Sequence, residues 1–277
     1  NLFNDYNNLI FIQDEAIAKA YTLEFEEMWV GFFGTNKLDN TPHKFIVNGK
    51  DVEVYFSPSD QTTSKIINMI DNVDYSFEFG LLGFTRDDLG LAVIAKDGEF
   101  GVNVRGIIEQ ENTTGSEFAD LIAAGVNVKS HQGVPYQFHH KYAIADANVV
   151  ASDPTVLTGS HNWSSNAENN SDENTLVIHD ATIANIYLQE FTERFNELGT
   201  SGIDELIQLD ITIFPNPSAG KVEVKSDVVI QQINLYAVDG KLLNTTEESV
   251  IQIKTKGIYF IKIITEKGIA VKKIVIE

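Results

Sequence analysis

The sequence predicts an α/β layered sheet domain followed by a small antiparallel β-sandwich, and three observations carry that expectation. Strand-like and helix-like runs alternate from Asp51 to Ser130, as in a layered α/β sheet. A polar, histidine-bearing stretch from Phe138 to Asn174 then punctuates two further strands. From Ile211 the texture changes to alternating runs rich in Ile, Val and Lys with no long helical period. A chain of 277 residues, 43% of them hydrophobic, can bury a core in each of about two domains.

In chain order, Asn7 to Trp29 reads as a short apolar strand, then a helix with Ile17, Ala20, Tyr21, Phe25 and Met28 along one face. Asp51–Phe56 is strand-like, Gln61–Val73 helical, and Tyr75–Leu82 and Val102–Glu109 are strands. A helix over Gly115–Ala124 and a strand over Val126–Ser130 follow, then two close strands, His139–Ala145 and Thr155–Gly159. Gly199-Thr200-Ser201-Gly202 opens a joint, with the domain boundary near 200–210. Beyond it, Gly220–Val224, Ile230–Tyr236 and Gly257–Ile264 read as strands, with turns at Asp239-Gly240 and Lys267-Gly268.

The chain contains an internal duplication. At a constant offset of 166, residues 8–29 and 174–195 share nine identities in 22 positions, including an Asp, a Tyr and a Glu-x-x-Glu register. A shared helical period alone does not produce that register. Asn7 aligns with Glu173. The second copy has a long α/β stretch leading into its helix and the first has almost none, so residues 1–31 read as the tail of a truncated first repeat and 50–199 as a nearly whole one.

The net charge of −20 is uneven: residues 1–207 hold 11 Lys/Arg against 32 Asp/Glu, whereas 208–277 hold 9 against 8. A shell that acidic repels polyanions and disfavours a large duplex-DNA footprint. The absence of cysteine removes disulfides, thiol nucleophiles and thiolate zinc sites, and suits passage through an oxidising compartment. No apolar run approaches the roughly 18 residues of a membrane span, so the reading is of a soluble chain. Asn1 is followed at once by folded-looking sequence without a signal region, which reads as a mature or cut chain.

The chemistry concentrates in Phe138–Asn174. His139 and Lys141 stand two apart on an extended run and share a face, while His140 points away; Ser160 and Asn162 share a face in the same manner. These groups fit attack on a phosphodiester. A neutral imidazole is a good nucleophile for phosphorus, and Lys141, Ser160 and Asn162 can hold phosphoryl oxygens where charge develops. Glu173 can accept from the far imidazole nitrogen and fix its tautomer. No metal and no cofactor is required. His43, His131, His161 and His179 read as structural or surface residues, and Trp163 as core.

Written as HHKYAIAD followed by GSHNWSSNAENNSDEN, this stretch resembles the phospholipase D superfamily, whose pattern is H-x-K, four residues, D, then G-S-x-N. The resemblance covers roughly Asp51–Leu198 and implies a layered α/β/α sheet. It implies His139 as nucleophile through a phosphohistidine, Lys141 and Asn162 binding phosphate, and Ser160 hydrogen-bonding it. It implies Glu173 orienting the histidine and Asp146 in support. The segment ANVVASDPTVLT, between Asp146 and Gly159, is longer than in compact members and implies a longer hairpin loop beside the site. The family mechanism uses a second histidine as general acid, and no other H-x-K occurs here. A second such half, from a missing repeat or a homodimer partner, is therefore expected, and the lone chain is expected to be weakly active.

The C-terminal pieces ITIFPNP, YAVDGK, GIYFIK and KKIV resemble the C-terminal sorting domain of the type IX secretion system found in Bacteroidota, over about 208–277. That implies export by this machinery to the outside or the cell surface. The combined expectation is a secreted phosphodiesterase acting on phospholipid in preference to nucleic acid, given the acidic catalytic region. The alternatives are a nonspecific extracellular endonuclease and a non-catalytic, surface-anchored binding module with a relic site.

Overall fold

The computed structural model describes residues 5–198, 211–237, 242–265 and 268–277. The chain divides into two compact units, Asn1–Ser201 and Gly202–Glu277. The 199–210 joint, the Asp239-Gly240 turn and Lys267 of the last expected turn lie outside the described residues.

The first unit begins with an extended arm and helix α1 (Glu15–Trp29), then a hairpin of β1 (Lys44–Val47) and β2 (Lys50–Ser57). Its turn is Asn48-Gly49, with φ of 50° and 76°, the backbone that this dipeptide adopts readily. Next come α2 (Thr62–Asp71), β3 (Ser76–Leu81), α3 (Asp87–Asp97), β4 (Asn103–Ile108), α4 (Phe118–Ala124) and β5 (Asn127–Ser130). The unit closes with β6 (Lys141–Ala145), β7 (Thr155–Gly159), the short α5 (Ser165–Asn169), β8 (Glu173–His179) and α6 (Ala181–Glu197). The hairpin strand β1 and helix α3 were not among the sequence expectations.

All eight strands form one sheet in the order β1-β2-β8-β7-β6-β3-β4-β5. Only β3-β4-β5 run parallel, because helical crossovers join them, while the hairpin-linked strands pair antiparallel. Alternation along the strands divides two cores. Phe77, Phe79, Leu81, Ala143 and Val177 face Ile66, Leu89, Val93 and Leu121 of α2–α4. Ile107, Tyr142, Ile144 and Val156 face Tyr187, Phe191 and Phe195 of α6. Trp163 is fully buried among Phe77, Phe79 and Phe84. The result is the expected α/β/α layering, and each large aromatic so buried contributes about 2–3 kcal/mol. Among the described residues, no helix is long and apolar enough to cross a membrane.

The expected N-terminal strand is corrected, while the expected helix is present with only part of its apolar face buried. Residues 7–14 form no strand; Tyr6 alone bridges to Phe138. The alternation in the sequence is present, but among the described residues no neighbouring strand completes its ladder. Helix α1 buries Ile17, Ala20 and Glu24, not its aromatic face. Buried Glu24 is tolerated because it is paired with Lys37, which also donates to Ser57 O. Tyr21, Phe25 and Trp29 are 36%, 55% and 78% exposed.

The second unit is all β. Strands β9 (Thr212–Phe214), β10 (Lys221–Lys225) and β13 (Val250–Gln252) form a sheet in the order β13-β10-β9. Strands β11 (Ile230–Ala237), β12 (Leu242–Thr246), β14 (Gly257–Thr265) and β15 (Gly268–Ile276) form another in the order β12-β11-β14-β15. Both are antiparallel, and alternate residues such as Val222, Val224, Ile233, Ile261, Ile263 and Ile274 fill the space between them. No candidate chemistry falls here.

Candidate active site

The site forms where the chain enters β6 and leaves β7. His139 and His140 precede β6, so the expected strand begins two residues late, yet their backbone is extended and held on both sides. His139 N donates to Tyr6 O at 3.0 Å, and Leu82 N donates to His140 O at 2.8 Å. The side chains therefore alternate as expected. His139 is exposed to a cleft, whereas His140 is 3% exposed and packs edge-on against Phe138 and Tyr142. Burial pushes the His140 imidazole down to about 3, so this ring stays neutral.

Lys141 is 7% exposed, and its ammonium donates to His139 O at 2.9 Å and to His139 Nε2 at 3.2 Å. Burial depresses it to about 8, opposed by the charge of Glu173. On the other side of the imidazole, Nδ1 lies 3.2 Å from Asn7 Oδ1. An amide oxygen can only accept, so Nδ1 carries the proton and the Nε2 lone pair faces the cleft. Partial burial and the neighbouring Lys141 charge lower the basicity of His139, so the ring is neutral at neutral pH.

The facing wall comes from the end of β7. Gly159 has φ of 152°, and a Cβ there would meet Asn174 O at 2.1 Å. Glycine thus lets β7 and β8 approach closely enough for Ser160 N to donate to Asn174 O at 3.0 Å. Ser160 Oγ accepts from Asn174 N and Nδ2 at 3.0 and 3.2 Å, and neither bond uses its own O–H, which remains available to a ligand. Asn162 and Glu173 complete the wall, with Asn162 Oδ1 buried and without a hydrogen-bond partner. His139, Lys141, Ser160, Asn162 and Glu173 thus line one cleft of about 380 Å³ together with Asn7 and Asn8. A tetrahedral anion seated there meets an ammonium, a hydroxyl and amides beside a neutral imidazole nitrogen.

Two of the expected site residues sit differently. Asp146 lies beyond the far end of β6, about 17 Å of strand from Lys141. Its buried carboxylate accepts from the backbone N–H of Asp74, Tyr75 and Ser76 at 2.8–2.9 Å and from Ser152 Oγ at 2.7 Å. Asp146 therefore ties the start of β3 to the β6–β7 connection and has no place in the cleft. The longer loop that follows it is likewise at the end of the sheet away from His139. Glu173 lines the cleft, but the His139 Nδ1 that it was expected to hold is taken by Asn7. Its electrostatic influence falls on Lys141 instead.

The N-terminal arm is what the sequence reading missed. Tyr6 N donates to Gln137 O, Asn8 Nδ2 faces His140 Nδ1 at 3.1 Å, and Asn8 Oδ1 accepts from Thr158 and Tyr187 hydroxyls at 3.0 and 2.9 Å. The alignment of Asn7 with Glu173 was the one signal in the sequence that could have found it.

Residues 66–195 match the family model described as cardiolipin synthase, PLD-like domain, and residues 212–277 match the secretion system C-terminal sorting domain. The latter marks the chain for export, to the medium or the cell surface. The chain is similar to a mitochondrial cardiolipin hydrolase of Xenopus tropicalis, 32% identical over 148 residues, covering 53% of this chain and 67% of the relative. A mouse protein of the same name is 32% identical over 141 residues, covering 50% of this chain and 60% of the relative. A phospholipase D of Rickettsia conorii is 29% identical over 145 residues, covering 52% and 68%. Among solved structures, the phospholipase D family member Nuc from Salmonella typhimurium superposes with a TM-score of 0.46 at 28% identity, covering 53% of this chain and 95% of that one. The chain spans about two thirds of the length of the curated relatives it matches.

Proposed function

The chain belongs to the phospholipase D superfamily, and from that premise we propose that it is an exported phosphodiesterase acting through a covalent phosphohistidine on His139. What supports this reading is the tautomer of one ring: Asn7 holds Nδ1–H, so Nε2 presents its lone pair to the cleft beside an ammonium. When a phosphodiester enters, Lys141 turns from Nε2 to the phosphoryl oxygens and frees that lone pair. A bond forms from Nε2 to phosphorus and the bond from phosphorus to the leaving oxygen breaks. Lys141, the Ser160 hydroxyl and the Asn162 amide stabilise the charge on the non-bridging oxygens. Water then attacks the phosphohistidine, releasing the phosphomonoester and the neutral ring.

The leaving oxygen needs a proton, and His139 is the one imidazole among the described residues that line the cleft. A second H-x-K half supplies the general acid, a contribution of roughly 10²–10⁴-fold. Phospholipid is the favoured substrate class. The acidic shell of residues 1–207 disfavours polyanions, and the animal relatives carry the name cardiolipin hydrolase.

The test is turnover of cardiolipin and phosphatidylcholine vesicles against a plasmid, each with the His139→Ala variant, plus trapping of labelled phosphate. Faster vesicle cleavage, with label on His139 and none in the variant, is expected. Plasmid nicking without lipid cleavage would make the chain an endonuclease. An unlabelled His139 with no turnover of either substrate would leave a binding module.

A further inference from the structure

His139 sits outside the sheet: β6 begins two residues later, and residues 132–137 before it are all exposed. The placement of its ring therefore depends on how the backbone at 138–140 is tied down. On the C-terminal side the tie is main chain. Leu82 N donates to His140 O at 2.8 Å, and Leu82 O in turn accepts from Gln110 N at 3.0 Å. On the N-terminal side the acceptor is a side chain: Phe138 N donates to Glu109 Oε2 at 3.0 Å. Glu109 directly follows β4, and its own N–H donates to Leu81 O at 3.0 Å, so it belongs to the same frame. The peptides on the two sides of His139 are thus anchored to adjacent strand ends, one of them through Glu109 alone.

Glu109 Oε2 has a second donor. His131 Nδ1 lies 2.8 Å from it, and because a carboxylate only accepts, that nitrogen carries the proton. His131 is itself fixed. It is 2% exposed, its N–H donates to Ile108 O at 2.9 Å, and its ring centroid lies 5.2 Å from those of Tyr6 and Phe138. The imidazole therefore holds the carboxylate in one place, and the carboxylate holds the Phe138 peptide. The two N–H donors also satisfy a side chain that is largely withdrawn from water. Neither Glu109 nor His131 lines the cleft, so neither can touch a substrate seated there.

We propose that Glu109 is a positioning residue for the nucleophile, and that His131 keeps it in place. Its carboxylate sets the backbone one peptide before His139, and so holds the ring where Nε2 meets Lys141 and Nδ1 meets Asn7. The arm adds a tie at His139 N through Tyr6 O, but Tyr6 N is itself held by Gln137 O, on the same segment. With the Glu109 acceptor removed, the Phe138 N–H is left unpaired and the exposed 132–137 connection is free to shift. The ring then moves away from Lys141 into water. The inference rests on the reading of His139 as the nucleophile.

NMR titration of the His139 ring, paired with turnover of the soluble diester bis(p-nitrophenyl) phosphate, tests it. In Glu109→Ala the His139 pKa is expected to rise from its depressed value toward the ordinary 6.5, because the ring leaves the Lys141 charge and gains water. Its kcat is expected to fall by about 10- to 100-fold with KM within about 2-fold, the pattern of a misplaced reacting group. Glu109→Gln, whose amide oxygen can take both donors, is expected to restore the wild-type titration and most of kcat. A side chain that only supports the fold would lower the melting temperature and leave the ring titration of the folded molecules unchanged, and that result overturns the proposal. Should Glu109→Ala not fold, His131→Leu decides, since it removes one donor and keeps an apolar side chain against Tyr6 and Phe138: a His139 pKa moved upward supports the proposal and an unmoved one overturns it. The titration is read without substrate, so a wild-type chain that turns over no diester counts against the phosphodiesterase reading alone.

Discussion

The hydrogen bond from His139 to Asn7 joins an imidazole to a neutral amide, and Asn7→Asp turns that partner into a carboxylate with almost no change in shape. Two unit charges about 4 Å apart interact by about 4 kcal/mol at an effective dielectric constant near 20. Both residues are exposed, so water and salt reduce this toward the roughly 1–2 kcal/mol of a partly screened charged hydrogen bond. At 1.36 kcal/mol per pKa unit, the His139 pKa rises by about 0.7 to 1.5, from a wild-type value below the ordinary 6.5. In the proposed mechanism the neutral ring is the nucleophile, so the sign is fixed: raising this pKa moves the acid limb of kcat/KM to higher pH. On the acid limb, well below both pKa values, activity falls by about 5- to 30-fold, the full size of the shift, and at pH values well above them it changes little. The assay is NMR titration of the His139 ring protons alongside the pH–rate profile, with Asn7→Ala as a control that removes the acceptor without adding charge. A His139 pKa that is the same in wild type and Asn7→Asp would refute the assignment of Asn7 as its partner.

At the basic end, kcat/KM should decline as Lys141 loses its proton near pH 8, and Lys141→Arg, which stays charged, should abolish that limb while retaining partial activity; a limb that survives the substitution assigns it to another group. Asp146→Ala strips the acceptor from three backbone N–H groups and is expected to cost about 3–5 kcal/mol in urea unfolding while leaving kcat per folded molecule within about 2-fold. A large drop in kcat at unchanged stability would return Asp146 to the chemistry. Glu117, buried beside Asp87 and Asp120, is raised to about 7, first by desolvation and then by those charges. A raised acid makes stability fall as pH climbs from about 4.5 to 7, so Glu117→Gln should stabilise the fold at pH 8 by about 1 kcal/mol after solvent screening and have no such effect at pH 4.5. Equal effects at both pH values count against a charge origin.

The strands that pack on both faces were legible because their pattern is local: Thr155–Gly159 and the runs around Tyr75–Leu82 and Val102–Glu109 appear where alternation and apolar content put them. The cleft was legible for the same reason. H-x-K and G-S-x-N each place two side chains on one face by a period of two, and one backbone turn per motif brings the faces together. Helix α1 forms where its period predicts, but amphipathicity says only that a helix has an apolar face, and Ile17 and Ala20 of that face are buried while Tyr21, Phe25 and Trp29 are exposed. The same limit explains residues 7–13, whose alternation is that of β8 but which pair with no strand among the described residues.

Asp146 shows a different limit. Its spacing from Lys141 marks it as part of a motif, yet five residues of strand carry it to the opposite end of the sheet, where it serves three amides. Spacing along a strand fixes the face that a residue occupies, but its chemistry depends on which end of the sheet it reaches.

The H-x-K and G-S-x-N spacings place His139 with Lys141 and Ser160 with Asn162 on shared faces, and the resemblance to known families supplied their expected roles and marked the export module. Which group holds the ring was not legible there, because Asn7 reaches His139 across 132 positions of chain, through a contact that only packing of the arm against β6 creates. Hydrogen-bond direction at one nitrogen, and with it the lone pair that faces the cleft, is therefore a property of the folded molecule.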